Sequence, residues 1–138
     1  MTNLFDQSTL VATAERLVEA ARRAGAGTLR VGTLTTRRDF TDVRDVVVAY
    51  RLLLLHGRAG TIYNVCSGRD VAISEVADEL LALARAELEL VTDPDLVRPV
   101  DVPVLRGDAG LLHATTGWSP SIPLATTLAD VLTSWEAD

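Results

Sequence analysis

Lysine is missing from all 138 residues, and every one of the 13 basic side chains is an arginine. That absence excludes a P-loop, whose phosphates need a lysine, and every catalytic role that a lysine would fill. Cysteine occurs once, as Cys66, so no internal disulfide and no cysteine-rich metal cluster can form. The two histidines, His56 and His113, are too far apart in sequence to make a helical metal pair, and no metal is expected. Nine glycines are present, yet nowhere do they form the glycine-rich turn that cradles a dinucleotide pyrophosphate. Apolar runs such as Leu52–Leu55 are far too short to span a bilayer. A basic segment followed by an apolar one is not found near Met1, so no signal peptide is expected and the cytoplasm is the default location. Positive charge is also in deficit: the net charge is −6 and the pI about 4.8, which argues against a nucleic-acid partner.

What is present is apolar. A hydrophobic content of 48% argues for a packed domain rather than a disordered chain. Residues 1–8 read as a loose N-terminus. Ser8 is placed to cap a helix from Thr9 to about Arg23, ended by Gly25 and Gly27. Leu29 to Leu34 alternates as a short strand does, and Thr33 to Phe40 reads as a charged loop or edge strand. Asp42 is placed to cap a second helix, Val43 to His56, with Asp45 at its third position. The apolar period of that helix predicts burial of Val46, Val47, Tyr50, Leu53 and Leu54. Thr61 to Cys66 lacks a clean polar face, as a strand covered on both sides would. Asn64 within it, and Cys66, read as satisfied structural side chains. Ser67 lacks the context of a nucleophile elbow. Ser74 would cap a third helix through about Ala86, with Ile73, Val76, Leu80, Leu81 and Leu83 inward, and Glu87–Thr92 reads as a strand. Three prolines keep residues 93–103 irregular. Asp108 would cap a short helix over 109–115, Gly117–Pro120 a turn, and Pro123 the start of a last helix with Leu124, Leu128, Val131, Leu132 and Trp135 on one stripe. The alternation of elements argues for an α/β fold.

Two loops suit an anion. Arg37 and Arg38 precede the capped helix, where local pattern favours solvated charges over a phosphate site. In Arg98-Pro99-Val100-Asp101, proline stiffens the backbone between a guanidinium and a carboxylate. Arginine suits a phosphate, and a carboxylate accepts from two vicinal hydroxyls, so the pair matches a nucleotide diphosphate and its ribose. An Arg98–Asp101 ion pair inside the loop accounts for the same spacing.

In order, the segments Arg38-Asp39-Phe40-Thr41-Asp42-Val43-Arg44-Asp45, Tyr63-Asn64-Val65-Cys66-Ser67-Gly68, Arg98-Pro99-Val100-Asp101-Val102-Pro103, Gly107-Asp108 and Thr116-Gly117-Trp118-Ser119-Pro120 resemble the C-terminal part of the extended short-chain dehydrogenase/reductases, the NAD-dependent epimerase/dehydratase family. Within it they are most similar to the GDP-mannose 4,6-dehydratase and GDP-4-keto-6-deoxymannose reductase group. The resemblance covers roughly residues 9–136. It implies the C-terminal portion of an NAD(P)-binding Rossmann-type fold, with Tyr63–Gly68 as a late strand of the main sheet and a small substrate-binding domain. It further implies that Arg38 and Arg98 contact the sugar-nucleotide diphosphate and that Asp101 holds the ribose.

This sequence departs from the family where the family does its chemistry. The Gly-x-x-Gly-x-x-Gly turn and the Tyr-x-x-x-Lys pair are both absent, so residues 9–138 are expected to hold a GDP-linked nucleotide sugar without catalysing the reaction alone. NAD or NADP belongs to the family but is not expected to bind this chain by itself. Three readings follow: a substrate-binding part completed by a chain carrying the cofactor half, a non-catalytic nucleotide-sugar-binding module, or an inactive gene fragment that exposes apolar surface and aggregates.

Overall fold

A computed structural model describes residues 26–97 and 102–136, and within them the chain is α/β. The expected N-terminal helix and the loose residues before it lie outside the described residues. Strand β1, Ala26–Val31, starts and ends three residues earlier than the alternation suggests, because its register is set by a distant partner. That partner is β4, Glu87–Thr92, which runs parallel to it from Ala26↔Glu87 to Val31↔Thr92. The period of two is visible in β4: Leu88 and Leu90 face the core while Glu87 and Glu89 are exposed.

A second sheet holds three short strands in the order β3-β2-β5. Here β2 is Arg37–Asp39, β3 is Asp70–Ala72 and β5 is Val104–Leu105. The loop or edge strand expected at 33–40 is thus the central strand of this sheet, antiparallel to β3 and parallel to β5. Its charged composition hides it, because non-local pairing rather than propensity makes the strand.

Helix α1 spans Val43–His56, as its cap and period predict. The Asp42 side chain accepts from the Arg44 backbone N–H at 2.8 Å. Its buried face is only partly the predicted one: Val46 and Leu53 are half-buried, Leu53 against the core of Ala49, Leu112 and Trp118. Asp45 and Ala49 are buried, whereas Val47, Tyr50 and Leu54 are 60%, 58% and 89% exposed. Helix α2, Ile73–Ala84, is capped by Ala72 without a side-chain hydrogen bond, so Ser74 lies inside the first turn and is not the cap. It ends on Arg85 in the left-handed region, φ 52°. Val76 and Leu80 are buried as expected, but Leu83 is 42% exposed. Helix α3, Gly110–Thr116, begins one residue later than expected, and Asp108 Oδ1 accepts from Gly110 N–H at 2.7 Å. Helix α4 is Leu124–Glu136, and Pro123 lies just ahead of it, its carbonyl accepting from Thr126 and Thr127. The Trp135 side chain lies outside the described residues.

The helices pair, and each pair makes a core. Val76 and Leu80 of α2 meet Leu128 and Leu132 of α4 over Leu29, Leu88 and Leu90 of the parallel sheet. Ala49 of α1 meets Leu112 of α3 and Trp118, flanked by Leu52, Leu53, Tyr63 and Val65. Residues 61–65 make no strand ladder among the described residues, and Ile62 is 88% exposed while Tyr63 and Val65 pack on the second core. Among the described residues the expected strand is therefore covered on one side only, by the second core, and has no ladder partner.

Candidate functional site

The β2 strand organises the polar centre, and its alternation sends its two arginines to opposite faces. Arg37 goes to carboxylates. Its Nε donates to Asp70 Oδ2, Nη2 donates to the Asp70 carbonyl at 3.0 Å, and Nη1 meets Glu75 at 3.2 Å. The hydrogen bond and the charge of Asp70 raise the Arg37 pKa, and the same hydrogen bond depresses that of Asp70. Arg37 is thus engaged in holding β2 to β3, not in lining an open anion site. Arg106 adds a second guanidinium to Asp70, at 3.3 Å.

Arg38 faces the other way. It lies opposite Val71 of β3 and Leu105 of β5. Its Nη1 donates to the carbonyl of Val102 at 2.7 Å and to that of Arg37 at 2.8 Å. Val102 directly follows Asp101, so this guanidinium is tied to the C-terminal end of the second predicted anion loop. Arg98 and Asp101 themselves lie outside the described residues.

The N-terminus of α1 is filled by the protein's own carboxylates. Asp42 accepts from Arg44 Nε and Nη2 at 2.9 and 2.8 Å and from Thr127 Oγ1 at 2.7 Å. The Arg44 hydrogen bonds outweigh burial and hold Asp42 far below the usual carboxylate range. Arg44 also reaches Asp130 of α4 at 2.8 Å. Burial disfavours the charge on Asp45, but the Ile122 N–H and the Ser121 hydroxyl and N–H overcome it, and its pKa falls. These three donors lie 2.8–2.9 Å from its oxygens. The Asp45 carbonyl accepts from the Trp118 indole at 3.0 Å. The acidic pair therefore locks α1 to α4 and to the 118–122 turn, and the anion site suggested by position alone is not formed there.

Asp39, at the end of β2, was not singled out by sequence pattern, yet it gathers three backbone N–H groups. Ser67 donates to Oδ1 at 2.9 Å, and Gly68 and Gly107 donate to Oδ2 at 2.9 and 3.2 Å; the Ser67 hydroxyl adds a short hydrogen bond. The only available signal was the repeated Arg-Asp at 38–39, 44–45 and 69–70, which does not say which carboxylate binds backbone. The Ser67 hydroxyl is thereby satisfied as a donor, and it accepts from the Arg69 N–H at 3.1 Å. Cys66 is buried, and burial, followed by the Asp39 charge, raises its thiol pKa, so it is a poor thiolate, as its core reading implies. The Asn64 side chain donates to the Asp108 carbonyl at 3.1 Å, in keeping with a structural role. The Tyr63 hydroxyl accepts from the Arg58 N–H at 3.1 Å. Among the described residues no cluster of three or more metal-binding side chains occurs, and no helix is long and apolar enough to cross a membrane.

Comparison with known proteins gives this arrangement a family. The family model for GDP-mannose 4,6 dehydratase matches residues 6–131. The GDP-6-deoxy-D-mannose reductase of Pseudomonas aeruginosa is 39% identical over 132 residues, which is 96% of this chain and 43% of that protein. The structure of RMD from Pseudomonas aeruginosa complexed with NADPH superposes with a TM-score of 0.86 at 37% identity, covering 96% of this chain and 44% of that one. A putative epimerase from Burkholderia cenocepacia gives 0.79 at 33% identity, over 91% and 41% of the two chains. The UDP-glucose 4-epimerase of Thermotoga maritima, solved with UDP-glucose, shares the fold at 0.78 and 24% identity, over 93% and 39%. The chain thus spans less than half the length of the relatives it matches, and its fold is that of the C-terminal portion of a Rossmann-type extended short-chain dehydrogenase/reductase. A match running through nearly all of the sequence, joined to that fold, means that this chain belongs to the GDP-mannose 4,6 dehydratase family.

Proposed function

We propose that residues 9–138 are the nucleotide-sugar-binding part of a GDP-mannose 4,6-dehydratase- or reductase-like enzyme. In this reading Arg38 and Arg98 grip the diphosphate of a GDP-linked sugar and Asp101 accepts from the ribose hydroxyls. The observation that carries it is the tie from the Arg38 guanidinium to Val102, because it anchors the strand bearing one arginine to the end of the loop bearing the other two residues. Paired guanidinium groups match a diphosphate in both charge and geometry.

The residues present do not fit the nicotinamide cofactor that the family uses. The glycine spacing offers no pyrophosphate turn, and without lysine no Tyr-x-x-x-Lys pair exists. This part of the fold therefore binds and orients the sugar nucleotide, and the hydride and proton transfers belong to groups outside these 138 residues. Calorimetry with GDP and GDP-mannose tests the reading. Binding of both is expected, with Arg98→Ala weakening each by about tenfold or more, as loss of a charge-assisted contact does. Absence of heat at millimolar ligand overturns it.

A further inference from the structure

Strand β2 meets its two neighbours over very little length. Its parallel pairing with β5 covers two positions, Arg37↔Val104 and Arg38↔Leu105, and its antiparallel pairing with β3 covers three. Ladders this short hold weakly on their own, and parallel ones more weakly still. At one end the β5 side is held by backbone: the Arg37 N–H donates to the Pro103 carbonyl at 2.8 Å. At the other end the ladder stops and a side chain takes over. Asp39 Oδ2 accepts from Gly107, two residues past β5, and from Gly68, two residues before β3, while Oδ1 accepts from Ser67. One carboxylate thus fastens both neighbours to β2, through charge-assisted bonds that outdo ordinary ladder bonds. Arg38 lies between the fastened strands, opposite Val71 on one side and Leu105 on the other. Its guanidinium donates to the Val102 carbonyl, at the start of the segment whose far end Asp39 holds.

We infer that Asp39 is a positioning residue for Arg38: by holding Gly107 it keeps residues 102–107 in register on β2, and the Val102 carbonyl then keeps the guanidinium aimed. The inference deepens the reading of this chain as a nucleotide-sugar-binding part, in which Arg38 grips the diphosphate, and rests on it. Alternation turns the Asp39 side chain to the face away from Arg38, so it acts through its neighbour and not on the ligand. Without this carboxylate the β5 segment shifts along β2, the carbonyl leaves Arg38, and a long side chain has to be ordered at the moment of binding.

The test is a double-mutant cycle on the full chain, read by calorimetry with GDP-mannose. Asp39→Asn turns an amide toward backbone donors and is expected to weaken binding about three- to tenfold, the cost of freezing one long side chain. Made on top of Arg38→Ala, the same substitution is expected to change affinity by less than about twofold, because the group it aims is gone. Asp45→Asn is the comparison. Its carboxylate is as richly hydrogen-bonded but sits on α1, so stability is expected to fall and affinity to stay. Ser67→Ala removes the hydroxyl bond to Asp39 and spares the three backbone donors. It is expected to keep its circular dichroism and to weaken binding in the same direction by less, and it decides the matter should Asp39→Asn not fold. Unchanged affinity in the folded variant overturns the inference. Losses from Asp39→Asn and Arg38→Ala that simply multiply overturn it, and so does an equal loss in Asp45→Asn, since each makes the role of Asp39 merely structural. An unsubstituted chain that gives no heat sinks the nucleotide-sugar reading and this inference with it, whereas a chain that binds and is indifferent to Asp39 sinks the inference alone.

Discussion

At the scale of single residues, the lesson lies in which carboxylates turned out to be structural. Asp42 and Asp45 begin as cap and dipole partners, and sequence pattern reads both roles correctly. It does not show that Asp45 also receives Ser121 and Ile122, which are more than seventy residues away. Such a contact has no local signature. Replacing Asp45 with Ala strips three donors of their acceptor, and a loss of about 2 kcal/mol is expected in denaturant unfolding. Asp45→Asn keeps one carbonyl acceptor, so its loss is expected to be smaller. The same limit applies to Arg37 and Arg38. They are adjacent and chemically identical, yet strand alternation gives one to Asp70 and the other to Val102.

At the scale of elements, periodicity reveals a helix or strand better than it reveals the neighbour. The bounds of α1 and β4 agree with their patterns because caps and alternation are local. Three-residue β2 reads as a loop or edge strand rather than a central one because its strand character comes from partners on both sides. The inward face of α1 was read correctly for Val46 and Leu53 and wrongly for Val47, Tyr50 and Leu54 for the same reason: an apolar stripe announces burial without saying against what. Of the candidate site, the place ahead of a capped helix marks Arg37 and Arg38 alike, and only the family motif separates Arg38 from its neighbour. A second prediction belongs here. Gly107 follows β5 by two residues, and a side chain there runs into the Cys66 sulfur and comes within 2.8 Å of its Cβ. Gly107→Ala is expected to destabilise by about 1–3 kcal/mol, the usual penalty of overpacking. Cys66→Gly in the same chain is expected to recover part of it, and a double-mutant cycle in urea measures the coupling.

At the scale of the whole molecule, charge sets the response to pH. Asp42, Asp45 and Asp70 all have folded pKa values below those of unfolded carboxylates. Depressed acid groups contribute stability that is complete above the unfolded value, about 3.9, and drains as pH falls through the folded values. Thermal melts between neutral pH and about pH 3 are therefore expected to show a plateau down to roughly pH 5 and a steep decline below it. Asp45→Asn flattens part of that decline. Raising the pH toward 8 is expected to leave this contribution unchanged.

The helix pairs α1–α3 and α2–α4 each bury their own oily contacts, while Asp42, Arg44 and Asp45 stitch the first pair to the second. A seam made of ionised groups can be unzipped without melting what lies on either side of it. Acid well below the usual carboxylate range should then uncouple the two halves before helices are lost, so that the α1–α4 contacts part while far-ultraviolet ellipticity and the near-ultraviolet signal of Trp118, buried inside the first pair, persist. The protein would come apart along its wet join, not through either of its dry ones.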